Sequence, residues 1–427
     1  MKIAPEGSHH RRRVVITGLG VVSPCGVGKD EFWQNVLDGR GRIGAITRFD
    51  ASRLPTRIGG EMVGFEARRF LSENDSRRFD DYAQYALAAT RMALQDGGLD
   101  LAGCDRSRIG VVVGSCHGAV RTMEREILAF HKEGLHGIGP FAMANASSNI
   151  AAALVAIQLG LKGPNFGVVA ACASGTQAVG EAYRTLASGA ADVMLAGGSE
   201  AAITPFIFAG YSFISAMSRR NDDPARACRP FDRKRDGFVM SEGAGILVLE
   251  DLDHALGRGA EVYAEIVGYG AADDAAHVTN LTDRGVGVRR AMEAALEDAG
   301  IGPEDVDYVN THGSSTPLAD RCEAAAIRDL FKGRTDELLV NSTKSLTGHM
   351  MGASGAVEAI VCALSLKDQV VHATANYEEE DPDCALGGLT SSCVRRPLKY
   401  VLSNSIGFGG PVGTLALTTW DSGAKAS

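Results

Sequence analysis

The chain has no apolar run approaching the roughly 18 residues of a membrane span, and its first residues lack the apolar stretch of a secretion signal. A cytoplasmic protein with no membrane partner is therefore expected. CxxC pairs are missing as well: nine cysteines, an odd number, are scattered through 427 residues, a pattern of neither a disulfide framework nor a metal site. Positive charge is not in excess. A formal net charge of −9 argues against general nucleic-acid binding, and Arg11-Arg12-Arg13 reads as a solvated lead-in to a first strand. No segment rich in proline or serine divides the chain, so hinged domains are not expected. Glycine, by contrast, is plentiful. Its 52 residues suit many tight strand-to-helix turns, and 45% hydrophobic with 22% charged residues is ordinary for a soluble globule. Residues 1–10 and 422–427 read as loose polar ends.

Cys172 lies in Ala170-Ala171-Cys172-Ala173-Ser174-Gly175-Thr176, between the strand-like Gly167–Ala171 and a helical pattern over Ala178–Ser188. At that handover the unpaired N–H groups and positive end of a helix favour thiolate over thiol, and small neighbours admit a bulky thioester. A lone cysteine is more often inert and buried. Two further segments change the balance. Asn310-Thr311-His312-Gly313-Ser314-Ser315-Thr316 follows the strand-like Val306–Val309, and Lys344-Ser345-Leu346-Thr347-Gly348-His349 follows Leu338–Ser342. One cysteine and two histidines thus occupy equivalent strand ends, where α/β sheets assemble their sites.

The chain also repeats itself. Leu94-Gln95-Asp96-Gly97-Gly98-Leu99 leads into the strand-like Ile109–Gly114, and Leu296-Glu297-Asp298-Ala299-Gly300-Ile301 leads into Val306–Gly313, an offset of 202 residues, nearly half the length. Two related halves of parallel-rich α/β structure follow, divided near residue 260 into 1–260 with the cysteine and 261–427 with both histidines.

At these three segments, and from Val14–Gly20 to Asn404–Gly410, the sequence resembles the β-ketoacyl-acyl carrier protein synthases of the synthase II type, condensing enzymes of the thiolase superfamily. Ala196-Gly197-Gly198-Ser199-Glu200 and Arg229-Pro230-Phe231-Asp232-Arg233 add to the match. The resemblance implies a five-layered αβαβα fold and a decarboxylative Claisen condensation of a Cys172-bound acyl group with a malonyl thioester. His312 and His349 are implied as donors to the enolate oxygen, Lys344 and Glu358 as their polar support, and the backbone N–H groups of Cys172 and Phe408 as an oxyanion hole. Lys344 and Glu358 read equally well as a plain structural ion pair. Thr279, Ser314 and Thr316 match positions along the tunnel for the carrier's phosphopantetheine, and Arg77 and Arg78 match basic residues that dock the carrier. No cofactor and no metal are implied. The partners implied are an acyl carrier protein and a second subunit, in a homodimer or in a heterodimer with a chain-length factor.

Three departures stand out. Ile406 and Pro411-Val412 replace the family's usual Phe and Thr-Asn around the Gly407-Phe408-Gly409-Gly410 loop, and Ser314 stands where Thr is common. His117, in Gly114-Ser115-Cys116-His117-Gly118, occupies a place where these enzymes usually carry an aliphatic gate, so it should narrow the acyl channel and tolerate a polar or conjugated chain. A polyketide or polyene pathway is then at least as well supported as housekeeping fatty acid synthesis. A coenzyme A-dependent thiolase would lack the Lys344–His349 pattern, and a non-catalytic chain-length factor would not keep Cys172, His312 and His349.

Overall fold

The computed structural model describes residues 11–282 and 284–421; the expected loose ends lie outside them. Ten strands form the main path of an 11-stranded sheet: β1 Val14–Ser23, β2 Ile109–Gly114, β3 Asn165–Val168, β4 Val193–Glu200, β5 Gly243–Asp251, β6 Ala264–Asp273, β7 Val306–Asn310, β8 Leu339–Asn341, β9 Tyr400–Ile406 and β10 Pro411–Thr418. Their spatial order is β8-β7-β9-β10-β6-β1-β5-β4-β2-β3. Read outward from the centre, β1-β5-β4-β2-β3 and β6-β10-β9-β7-β8 have the same pairing pattern, two antiparallel steps and then two parallel ones. The internal repeat is thus a repeat of topology. The parallel-rich expectation is corrected: half of the pairings in each five-strand unit are antiparallel, because β5 runs against both β1 and β4, and β10 against both β6 and β9. The two units meet where Val14–Ile16 pairs with Ala264–Ile266.

Eight helices carry the argument: α1 Asp81–Asp96, α2 Val120–Glu133, α3 Ile150–Leu159, α4 Ser174–Ala187, α5 Pro205–Phe213, α6 Val286–Ala299, α7 Pro317–Leu330 and α8 Ser354–Asp368. Strand alternation sorts them into layers. Leu247 and Leu249 of β5 and Leu415 and Leu417 of β10 face a shared core with Val179 of α4 and Val357 and Ile360 of α8. On the opposite faces, Ile246 and Val248 pack with α1 and α3, while Leu402 and Ala416 pack with α6 and α7. The outcome is helix, sheet, helix, sheet, helix, the five-layered thiolase-like arrangement that was expected.

Of the two central helices α8 is buried on every side, each residue from Ser354 to Leu366 being inside, whereas α4 leaves Glu181 and Arg184 at the surface. Their amino ends cross at very short range. A Cβ on Gly175 would stand 2.7 Å from the Gly352 oxygen, and one on Gly355 would stand 2.0 Å from Thr176 Oγ1, so only glycine permits the approach. That crossing joins the first half's cysteine to the second half's histidine. Among the described residues no helix is long and apolar enough to cross a membrane.

Candidate active site

Cys172 occupies a tight turn between β3 and α4. Ala171 has φ of +48°, the left-handed region that a residue with a Cβ rarely adopts. Ser174 Oγ holds that conformation by accepting from the Ala170 N–H at 2.9 Å and donating to the Ala171 oxygen at 2.6 Å. The 14-residue helix then begins two residues on, at Ser174, so Cys172 stands at its positive end. Cys172 is only 5% exposed. Its thiol is held well below the usual range: the hydrogen bond from Cys116 contributes most, burial opposes it, and His349 and then His117 reinforce it. The Cys116 thiol is correspondingly pushed up.

His312 follows β7. Glu323 of α7 fixes its backbone, accepting from the N–H groups of His312 at 2.9 Å and Gly313 at 2.8 Å. His349 is anchored by its own N–H, which donates to the Val239 oxygen at 2.7 Å, and by Nδ1, 3.0 Å from Ser354 Oγ. Nε2 is therefore its ring nitrogen directed at the cavity. The two imidazoles sit edge to face, centroids 5.3 Å apart at 84°, and both line a cavity of about 320 Å³ together with Cys172. Burial, Lys344 and His349 hold the His312 pKa well below that of a free imidazole, so the ring is neutral and can donate one N–H. Beneath it, Lys344 Nζ donates to Glu358 Oε1 at 2.6 Å with both groups buried. Burial pushes the carboxyls of Glu358 and Glu323 up to about 7, against the pull of Lys344 on the first and of backbone N–H groups on the second.

Thr279, Ser314, Thr316 and Phe408 also line the cavity, and the Ser314 and Thr316 hydroxyls are 2.9 Å apart. Positive φ recurs here at Ser315, +68°, and Met351, +46°, beside the two histidine turns. In the Phe408 loop Pro411 starts β10; its oxygen accepts from the Gly407 N–H at 2.8 Å, and Gly409 donates to the Val278 oxygen, tying the loop to the Thr279 segment. His117 is not on the cavity wall; Tyr211 is, and its hydroxyl meets His117 Nε2 at 3.3 Å. Arg77 and Arg78 end a short helix away from the cavity, Arg77 paired with Glu73 at 2.5 Å and Arg78 over the Phe141 ring at 4.8 Å.

Sequence reasoning missed Glu323, Cys116 and Tyr211. Glu323 could have been found: it lies three residues after Asp320, on one face of the helix that follows His312. Tyr211 and Cys116 carry no local motif. Cys116, His117 and Glu200 bring potential ligand atoms within 4.8 Å of one another. Glu200, however, already accepts from the N–H groups of Cys116 at 2.7 Å, His117 at 3.1 Å and Gly352 at 3.1 Å and from Ser115 Oγ at 3.2 Å, so it serves as the anchor of this turn.

An acidic thiol at a helix terminus, opposite two imidazoles that can donate to one oxygen, is suited to hold an acyl thioester and to steady an enolate beside it. Those are the requirements of a carbon–carbon condensing enzyme. The chain belongs to the β-ketoacyl synthase family: residues 11–255 match the beta-ketoacyl synthase N-terminal domain and residues 263–378 the C-terminal domain. It is 43% identical over 406 residues to the 3-oxoacyl-[acyl-carrier-protein] synthase 2 of Synechocystis, an alignment covering 95% of this chain and 98% of that one. The ketosynthase of a type II polyketide system, solved with its acyl-carrier protein and bound to the hexaketide, superposes with a TM-score of 0.90 at 35% identity, covering 96% of this chain and 100% of that one. The ishigamide ketosynthase/chain length factor gives 0.90 at 33% identity, with the same coverage.

Proposed function

We propose that the protein extends an acyl chain by decarboxylative condensation with malonyl-acyl carrier protein. The Cys172 thiolate attacks the acyl thioester, the carrier thiolate leaves and takes up a proton, and the acyl group stays on Cys172 Sγ. Malonyl carrier then enters. Its C–C bond to the carboxylate breaks, carbon dioxide leaves, and the bonding pair becomes the enolate, whose oxygen His312 and His349 hold with their N–H donors. The enolate carbon attacks the Cys172 thioester and the cysteine leaves as thiolate, giving a β-ketoacyl carrier. The observation that carries this reading is the edge-to-face histidine pair sharing one cavity with Cys172.

In this scheme Lys344 and Glu358 position His312, Thr279, Ser314 and Thr316 guide the phosphopantetheine, and backbone N–H groups of Cys172 and Phe408 hold the tetrahedral oxyanion. Arg77 and Arg78 offer an acidic carrier a basic landing point on an acidic protein. The halves 1–260 and 261–427 act as one unit, because each supplies part of the site. A second subunit pairs along β3, the end strand of the sheet, flanked by exposed Val169 and by Ile157 of the helix packed on it. The polyketide or polyene branch is favoured by the polar His117–Tyr211 contact beside the nucleophile.

The direct test is acyl labelling followed by mass spectrometry. Wild type should carry the acyl group on Cys172, Cys172→Ala should carry none, and Cys172→Gln should release carbon dioxide from malonyl carrier without condensation. Label persisting on another cysteine in Cys172→Ala would refute the assignment.

A further inference from the structure

Cys116 stands against the nucleophile, and the condensation scheme has no step for its sulfur. Strands β2 and β3 are parallel with Gly114 opposite Val168, so the segments that follow them leave the sheet side by side. The Ser115 N–H donates to the Val168 oxygen at 3.1 Å, and Ser174 Oγ lies 3.3 Å from the Ser115 oxygen. Both turns are held. The Cys116 backbone N–H donates to Glu200 at 2.7 Å, while Ser174 Oγ fixes the bend before Cys172. Their side chains pack into one apolar cluster with Phe238 and Met351, and the Cys116 S–H donates to the Cys172 sulfur. The Tyr211 hydroxyl donates in turn to the Cys116 sulfur.

A thiol is a poor choice if donation is its whole task, because S–H is a weak donor and a hydroxyl of similar size would hold the thiolate better. What sulfur alone adds is the capacity to bond to sulfur. A reachable thiolate of low pKa with a second cysteine in contact is the arrangement in which oxidation ends in a disulfide. The way in is open. The cavity leads to Cys172 from a rim that includes exposed Thr279, Asn280 and Pro317, and its volume of about 320 Å³ is ample for a molecule hardly larger than water.

We propose that Cys172 and Cys116 form a peroxide-responsive dithiol that switches the site off reversibly. The Cys172 thiolate attacks one oxygen of hydrogen peroxide, the O–O bond breaks, and the sulfur becomes a sulfenic acid while the departing hydroxide takes up a proton. The Cys116 sulfur then attacks the Cys172 sulfur, the S–O bond breaks, and the Cys116 proton leaves with the hydroxide as water. Sulfur is oxidised and peroxide reduced: two thiols and one peroxide give one disulfide and two waters. A dithiol reductant reverses the change through a mixed disulfide. While tied to Cys116, Cys172 can neither take an acyl group nor pass on to the sulfinic acid, which thiols do not repair. Loss of activity rests on Cys172 being the acyl acceptor, the reading given above, whereas the crosslink needs only the contact of the two sulfurs.

The test treats the reduced enzyme with hydrogen peroxide and follows acyl transfer from carrier alongside peptide mapping by mass spectrometry. Wild type should lose acyl transfer as a peptide pair joining Cys116 to Cys172 appears, lighter by two hydrogens than the separate thiols, and dithiothreitol should restore most of the activity. Cys116→Ser and Cys116→Ala, each compared with its own untreated sample, should lose activity to peroxide and recover little of it, with Cys172 carried on to the sulfinic acid. Wild type untouched by peroxide, sulfinic acid in wild type without the crosslink, a crosslink from Cys172 to another cysteine, or equal recovery in wild type and both variants would overturn the switch. Acyl transfer that continues in fully crosslinked enzyme would instead overturn Cys172 as the acyl acceptor, and the switch with it.

Discussion

At the scale of single residues, the sulfur of Cys172 and the two imidazoles divide the work unequally. Cys172 owes its acidity first to Cys116 and then, against burial, to His349, whereas His312 is a neutral ring kept so by burial and Lys344. His312→Ala should therefore accept an acyl group at close to the wild-type rate yet release little carbon dioxide, with a loss on the order of 10²–10³ expected for one oxyanion donor. His349→Ala should also fail in decarboxylation, and it should differ in one further respect. Without the imidazole the thiol pKa rises, the thiolate fraction at a given pH falls, and the pH profile of acylation moves to higher pH. Both effects are measured by following acyl transfer and carbon dioxide separately across pH. Normal decarboxylation with lost acylation in both variants would reverse the assignment. The three candidate groups were legible in the sequence, the histidines from glycine-rich turns that follow strands and Cys172 from small residues where a strand hands over to a helix. Cys116 and Tyr211 were not, since their role comes only from a thiol and a hydroxyl brought close by elements 56 and 39 residues away from Cys172 in the chain.

Elements make those meetings possible. The strand, turn and helix around Cys172 were readable from apolar runs and small residues, although the helix starts at Ser174, earlier than the periodicity from Ala178 indicates, because Ser174, Gly175 and Thr176 have no apolar pattern of their own. The mixed direction of the strands was hidden. Alternating strand and helix signals read the same whether a strand returns antiparallel or parallel, and only pairings such as Val14 with Asp251 settle it. The crossing of α4 and α8 is the element-level feature on which the site depends. Gly355→Ala places a methyl 2.0 Å from Thr176 Oγ1 and 2.6 Å from Ser405 Oγ in a fully packed interior. It should destabilise the fold by about 1–3 kcal/mol, the usual cost of overpacking, visible as a lowered Tm. Since the displaced helix ends carry Cys172 and the Ser354 partner of His349, acylation should slow even at temperatures where the variant stays folded. An unchanged Tm and rate would show that the helices can part at no cost.

For the whole molecule, the two five-strand units have unequal outer ends. Strand β3 closes one end of the sheet, next to Val169 at 61% exposed and Ile157 at 72%, an apolar margin of the kind that subunits cover. On the proposed pairing along β3, wild type should sediment as an oligomer and the Val169→Arg, Ile157→Arg double variant as a monomer at matched concentration. A wild type that is already monomeric would remove the subunit reading. The other end of the design is the seam at the middle, where β1, made entirely of buried residues, pairs with β5 on one side and with β6 on the other. Val22 must find Ala244, which leaves the ribosome 222 residues later. At synthesis rates of about 5–20 residues per second that is a wait of roughly 10–45 s. Throughout it, Val14–Ser23 is an uncharged, strand-forming segment with β5 and β6 still unmade, and only its Val22–Ser23 end can pair, with Gly26–Val27. Substitutions in this first strand should therefore show themselves in the yield of soluble protein during synthesis, before they alter the turnover of the molecules that do fold.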